Sequence, residues 1–156
     1  MKKEYRKLAA EQLDRKLGGL RPLLQTPMPD RGWIHAIRRA LGMSLRQLAV
    51  RMDISPQSVK EMEDREAEGS ITLKRLREAA EAMDLYLVYF VIPKEQSLGR
   101  MISKQAESLA RSIVLRTATS MELEEQGVSE ERIASAVRAK TEELIREMPR
   151  YLWDQR

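Results

Sequence analysis

One stretch, Ser44 to Val59, constrains this chain more than any other feature of it. Ser44 followed three residues later by Gln47 is a capping box, so the pattern predicts a helix from Leu45 that turns Leu45, Leu48, Ala49 and Met52 to one side. A second start follows almost at once. Ser55 is a strong N-cap, and Pro56 occupies the first helical position, where its missing N–H costs nothing; Val59 and Met62 then face inward with the stem of Lys60 beside them. Two short helices joined by a few residues, with Ala49 small enough to let them cross closely, make a helix-turn-helix.

The pattern Leu-Ala-x-x-x-x-Ile-Ser-x-x-x-Val-x-x-x-Glu, from Leu48 to Glu63, resembles the Cro/repressor-type helix-turn-helix domain. The turn position that is usually glycine is Asp53, which tolerates a positive φ better than most side chains do. A wider set of residues is similar to the mobile mystery protein A family: Trp33, Ile34, Ile37, Arg38, Ala40 to Ser44, Glu63 to Glu66, Ile71 to Leu73, Leu76, Ala79, Ala80 and Val91 to Pro93. Ser120, Met121, Leu123, Glu124 and Gln126, with Leu152-Trp153-Asp154, extend that resemblance over most of the chain. It implies a regulator encoded beside a partner with a Fic domain, the fold of many nucleotidyl-transferring toxins, and so an antitoxin that is also a repressor.

Helix-turn-helix geometry lays the start of the second helix in the major groove. That directs Gln57, Ser58 and Glu61 towards base edges, where Gln can pair with adenine N6 and N7, and sets Ser55 and Lys60 near the groove wall. Ser44, Arg46 and Gln47 open the preceding helix and face a phosphate, as do Ser70, Thr72 and Lys74 at the next helix start. For Ser44, Gln47 and Ser55, capping is part of the same answer.

Composition narrows the alternatives. The formal net charge is +4, distributed as +4 over residues 1–29, +2 over 30–80 and −1 over 95–156, a modest N-terminal excess compatible with DNA. One Phe, two Trp and four Tyr leave the packing to Ala, Leu, Met and Ile, which favours helices. With no cysteine and a single histidine, His35, a metal site is not expected, and His35 is expected to be solvated or hydrogen-bonded. No glycine loop for phosphates and no nucleophile with a histidine base stands out, so the chain is expected to be neither an enzyme nor a cofactor binder. No apolar run reaches the ~20 residues of a membrane span, and the N-terminus lacks the apolar core of a signal peptide, so a soluble cytoplasmic protein is expected.

In chain order, residues 2–17 read as an amphipathic helix with Tyr5, Leu8, Ala9, Leu13 and Leu17 inward, ended by Gly18-Gly19. Residues 21–30, with three prolines, are a linker or an ordered arm; the helix before them either packs on protein or touches phosphates. Trp33 to Ala40 is a helix with Trp33, Ile37 and Leu41 inward and Arg38 and Arg39 outward. Residues 65–69 are a loop, followed by a helix with Leu73, Leu76, Ala79, Ala80 and Met83 inward. Leu85 to Ile92 is rich in β-branched and aromatic residues and stops at Pro93, so a strand is expected. Having no other strand to pair with, Leu85, Leu87, Val88, Tyr89 and Val91 are expected to pair antiparallel with the same segment of a second copy, giving a homodimer.

Beyond Lys94 the chain reads as charged helices. One stripe runs through Met101, Ala106, Leu109, Ile113, Leu115, Met121 and Leu123; Gly127 interrupts it. Ser129 then starts a helix with Ile133, Val137, Thr141, Leu144 and Ile145 inward, followed by an apolar terminus at Tyr151 to Trp153. The expected fold is therefore mainly α: a five-helix-type helix-turn-helix DNA-binding domain with one β-strand, and a C-terminal helical region. The expected parts are an N-terminal helix and arm over 1–30, the DNA-binding domain with its strand over 31–93, and a protein-interaction region over 94–156.

Fic antitoxins resemble one another in a motif of Ser or Thr, three residues, Glu, then Gly or Asn. Ser120 to Glu124 fits its first five positions, while Glu125 departs from the sixth; Ser103 to Glu107 also fits the bare spacing. The resemblance implies that Ser120 and Glu124 would block a Fic partner, with Glu124 pairing to an active-site arginine in place of the ATP γ-phosphate. A second reading keeps only this inhibitory role and treats the helix-turn-helix as a scaffold.

Overall fold

The computed structural model describes residues 3–123 and 129–154. Seven α-helices occur among them: α1 (Lys3–Gly18), α2 (Trp33–Ala40), α3 (Leu45–Met52), α4 (Pro56–Glu68), α5 (Leu73–Ala82), α6 (Leu98–Leu123) and α7 (Glu130–Glu147). Single turns of 3-10 helix cover Arg21–Gln25 and Arg150–Trp153. The chain divides into two compact units, one of residues 22–90, the other joining the N-terminal residues to Arg21 with those from Val91 onward.

In the first unit α2 to α5 close on Ile34, Leu48, Ala49, Val59, Met62, Ala79 and Met83. Its described residues hold four α-helices where a five-helix pattern was expected. The inner face of α2 also differs: Trp33 is 44% and Leu41 57% exposed, while Ile34 and Arg38 are buried. Both choices obey helical spacing, and the structure takes the stripe one residue on because Arg38 has a buried partner in Glu63. Residues 65–68, expected as loop, continue α4, which ends at Gly69 in the left-handed region (φ 75°).

No β-strand is found among the described residues, which corrects the strand expected over Leu85–Ile92. Leu85 donates its N–H to Ala80 O, closing α5, but the N–H groups of residues 86–92 find no backbone partner among the described residues. A strand needs a ladder, and no neighbouring segment described in this unit supplies one. Tyr86 is 96%, Val88 73% and Val91 81% exposed, with Leu85 and Leu87 half-buried.

In the second unit α6 and α7 form an antiparallel hairpin whose core is Ala106, Leu109, Ala110, Val137, Leu144 and Leu152, with Ile102, Ile113, Val114, Ile133 and Ile145 around it. Leu115, expected inward, is exposed. Helix α1 packs on α6 through only part of the stripe expected for it: Ala9 and Leu17 are half-buried, while Tyr5, Leu8 and Leu13 are exposed. Its contact face carries polar groups. The Asp14 carboxylate accepts from Leu98 N (2.7 Å) and Gly99 N (3.1 Å) at the start of α6, and Arg6 donates to Met148 O (2.9 Å) at the end of α7. A carboxylate at a helix start and a guanidinium at a helix end satisfy orphan backbone groups and oppose the helix dipoles. Arg21 donates to the carbonyls of Pro93, Lys94 and Glu95, in the irregular segment that precedes α6.

Candidate nucleic-acid interface

Helix α3 begins at a complete capping box. Ser44 Oγ accepts from Gln47 N (3.1 Å) and the Gln47 side-chain oxygen accepts from Ser44 N (2.7 Å). It stops at Asp53, whose φ of 53° and ψ of 47° are left-handed, as expected of the residue standing in the glycine position. Two residues later Ser55 Oγ accepts from Ser58 N (3.0 Å), Pro56 opens α4, and Ala49, Leu48 and Val59 disappear into the contact between the two helices. The Arg51 guanidinium, near the end of α3, donates to Ala82 O (3.0 Å) and so fastens the end of α5.

The side chains expected to meet DNA lie at the surface of these elements. Gln57, Lys60 and Glu61 are exposed on α4; Gln57 donates to Glu61 (3.3 Å) and Lys60 to Asp64 (3.0 Å). Such i,i+4 contacts on a solvated face are worth only tenths of a kcal/mol, so a ligand can displace them at small cost. Ser58 is half-buried, with its hydroxyl 2.8 Å from that of Ser55. A depression of about 300 Å³ brings Ser58 and Glu61 together with Arg65, Ser70, Thr72 and Arg75. Thr72 Oγ1 caps α5 by accepting from Arg75 N (3.2 Å), Ser70 sits in the preceding turn, and Lys74 is exposed with no ion pair among the described residues. Ser44 and Gln47 are exposed but occupied with each other; Arg46 between them is exposed and, among the described residues, unpaired.

Beneath this surface is a group of charges that sequence reasoning missed. Arg38 Nε donates to Glu63 Oε1 (2.5 Å), its Nη2 to Glu63 Oε2 (3.1 Å) and its Nη1 to Met43 O (2.8 Å), while His35 Nδ1 lies 2.9 Å from Glu63 Oε2. Arg38 and Glu63 are both buried. Burial opposes ionisation of Glu63, but hydrogen bonds from Arg38 and then His35, with their charges, prevail and hold its carboxyl below the usual range. His35 is thus hydrogen-bonded, as expected, and no group of His, Cys, Asp and Glu able to hold a metal occurs among the described residues.

Glu66, one turn further along α4, is the second buried acid. Its two oxygens accept from Trp33 N and Ile34 N, each at 2.9 Å, and so cap α2 from a distance. The N-cap residue itself, Gly32, has φ 82° and ψ 164°, a region open in practice to glycine alone, and a Cβ there would stand 2.7 Å from the Glu66 carboxyl. The signal is present in the sequence: Val59, Met62, Glu63 and Glu66 form one inward stripe, and two of its four members are acids.

Of the pair expected to act on a Fic partner, Ser120 is exposed near the end of α6 and its hydroxyl donates back to Arg116 O (3.1 Å). Glu124, like Glu125 and Gly127, lies outside the described residues.

Residues 34–90 match the helix-turn-helix family. The matched span runs from α2 past the end of α5 and contains the capping box, the Asp53 turn and the buried Arg38–Glu63 pair, and it supports a DNA-binding regulator. No curated protein and no solved structure matches this chain. No described helix is long and apolar enough to cross a membrane.

Proposed function

We propose that this chain is a sequence-specific DNA-binding transcriptional regulator whose α4 reads the major groove. The observation that carries the reading is a complete helix-turn-helix whose second helix presents Gln57, Lys60 and Glu61 in solvent, held only by weak contacts along the helix. A pure scaffold would give these side chains no task. Gln57→Ala is expected to cost roughly 1–3 kcal/mol and to relax preference at one base position, whereas Lys74→Ala weakens every sequence alike and lowers the salt slope by about one. Binding titrations on a selected duplex and its single-base variants test this, and a Gln57→Ala protein with unchanged affinity and preference would remove α4 from the groove.

The proposal includes a homodimer. Residues 86–92 leave their N–H groups without a backbone partner among the described residues and expose Tyr86, Val88 and Val91, and antiparallel pairing with a second copy would supply the ladder a single chain lacks. Light scattering that returns a monomer at concentrations where DNA is bound would sink it. It also includes a repressor role beside a Fic-domain partner, resting on the family resemblance of residues 33–154. Its test is nucleotidyl transfer by such a partner mixed with wild-type and Glu124→Gly protein, and absence of any complex with the wild type would remove the partner.

A further inference from the structure

The two ends of the α6–α7 hairpin are covered differently. Near the start of α6, Leu152 of the terminal turn is buried in the hairpin's core, Gln105 donates to Leu152 O (2.8 Å), and α1 packs alongside. Towards the tip, a groove of about 480 Å³ opens between residues 113–118 of α6 and 132–143 of α7, floored by half-buried Ile113, Val114 and Ile133. We infer that a second copy of this chain fills it, laying its own α7 antiparallel along this one about a twofold axis. The contact belongs to the second unit and does not depend on the DNA-binding reading.

The wall that α7 gives the groove carries Arg132, Ala136, Ala139 and Glu143. Steps of four, three and four residues keep all four within about 60° of one another around the helix. Their order selects the partner. In a twofold contact residue i meets residue j and j meets i, and the two alanines and the two charges share one centre, between Val137 and Arg138. An antiparallel pair of α7 helices therefore sets Ala136 against the partner's Ala139 and Arg132 against the partner's Glu143, at both ends at once. Exposed Ala136 and Ala139 put only methyl groups at the crossing, so the helices can approach closely. Arg132 is exposed and has no ion pair among the described residues, and Glu143 is held only by Lys140 on its own helix (2.9 Å), which leaves the carboxylate acceptor sites for a second cation.

Other occupants use less of the surface. A small apolar molecule would cover the floor but leave two opposite charges, roughly 16 Å apart along the helix, without a task. An unrelated helix would have to carry the same charges in reverse order, which a second copy supplies by symmetry.

The test is the mass of the full chain by sedimentation over a range of concentrations, for wild type, Arg132→Glu, Glu143→Arg and the double exchange Arg132→Glu/Glu143→Arg. Each single change makes both ends of the contact repulsive and is expected to weaken association by about tenfold, whereas the double exchange restores attraction and is expected to return association to within about threefold of wild type. Ala136→Arg, a bulky change at the exposed centre, is expected to abolish the contact. The pairing of residues 86–92 proposed above stays distinguishable: with it the wild type is a tetramer and the disrupted variants stop at dimers, and without it they are dimer and monomers, so the mass halves in either case. Unchanged thermal midpoints exclude a folding defect. A wild-type chain that stays monomeric, association unaltered by the single reversals and Ala136→Arg, or a loss that the double exchange does not restore overturns the contact.

Discussion

The two units hold themselves together by different means. The unit of α2 to α5 closes over Arg38, Glu63 and Glu66 as well as its apolar residues, and each of these charges bonds to a specific atom on another element. The core of the α6–α7 hairpin, among the described residues, is Ala106, Leu109, Ala110, Val137, Leu144 and Leu152, without a charged member. Apolar contact is non-directional and tolerates small shifts, whereas a bidentate guanidinium–carboxylate pair fixes distance and angle. The part proposed to present a helix to DNA is the part that buries its charge pair in the core, whereas the other unit has no fully buried charge among its described residues. Only at helix ends are the units built alike, since Glu66 caps α2 and Asp14 caps α6 by the same device.

The largest expected effect comes from removing one charge of the buried pair. Glu63→Ala leaves Arg38 buried without its carboxylate and is expected to cost about 3–5 kcal/mol, against about 2–5 for Leu144→Ala in the other core. Magnitude alone does not separate the two mechanisms, but acid does. The folded Glu63 carboxyl is held below its usual range, so its contribution is complete above the unfolded value and is lost as pH falls through the folded one. Glu63→Gln is expected to flatten the acid limb of stability, while Leu144→Ala lowers the whole curve without changing its shape. Trp33 and Trp153 report on one unit each, so urea unfolding of Trp153→Phe and Trp33→Phe backgrounds reads them separately. An identical acid limb in Glu63→Gln and wild type would break the contrast between the units.

Glycine 32 sharpens the same comparison one step down in size. Gly32→Ala forces a Cβ into a glycine-only region and towards the Glu66 carboxyl at 2.7 Å, and is expected to cost roughly 1–3 kcal/mol of the first unit's stability. Gly99, near the Asp14 carboxylate at the start of α6, has ordinary backbone geometry and only van der Waals neighbours at 3.6 Å. Gly99→Ala is therefore expected to fall within about 0.5 kcal/mol of wild type, as surface changes usually do. Two alanine variants of equal cost, by the same tryptophan signals, would show that the remote cap on α2 is no more exacting than that on α6.

What can be read in advance follows from how far apart the partners lie in sequence. The starts of α3, α4, α5 and α7 are legible because each cap joins residues three apart, and the Asp53 turn because one backbone angle decides it. The Arg38–Glu63 pair spans 25 residues and the Glu66 cap 32, so the stripe of α4 hints that Glu63 and Glu66 turn inward but nothing local names their partners, and the polarity of Arg38 taken alone points it outward. The face of α1 misleads for the same reason: its partners are helix ends met by Asp14 and Arg6, 84 and 142 residues away, and polar anchors outweigh the Tyr5, Leu8 and Leu13 stripe. Residues 85–92 show the opposite failure, since β-branched composition fits a strand yet cannot supply the second strand that makes one.

The smallest expected effect concerns the caps themselves, where the two units are most alike. Ser129 Oγ accepts from Arg132 N (3.3 Å) as a single bond, whereas Ser44 and Gln47 bond reciprocally at 3.1 and 2.7 Å. Each Ser→Ala change is expected to cost about 1 kcal/mol, because N-caps of this kind are worth about that much in either setting. Their consequences for DNA should nevertheless diverge. Without Ser44 the first turn of α3 loosens, carrying Arg46 with it, so affinity is expected to fall by more than the small stability loss explains, while Ser129→Ala is expected to leave affinity unchanged. Measuring both variants at a temperature where each is fully folded isolates the effect of orientation. Equal DNA affinity for the two would mean that the capping box serves stability alone and that α3 need not be rigid for binding.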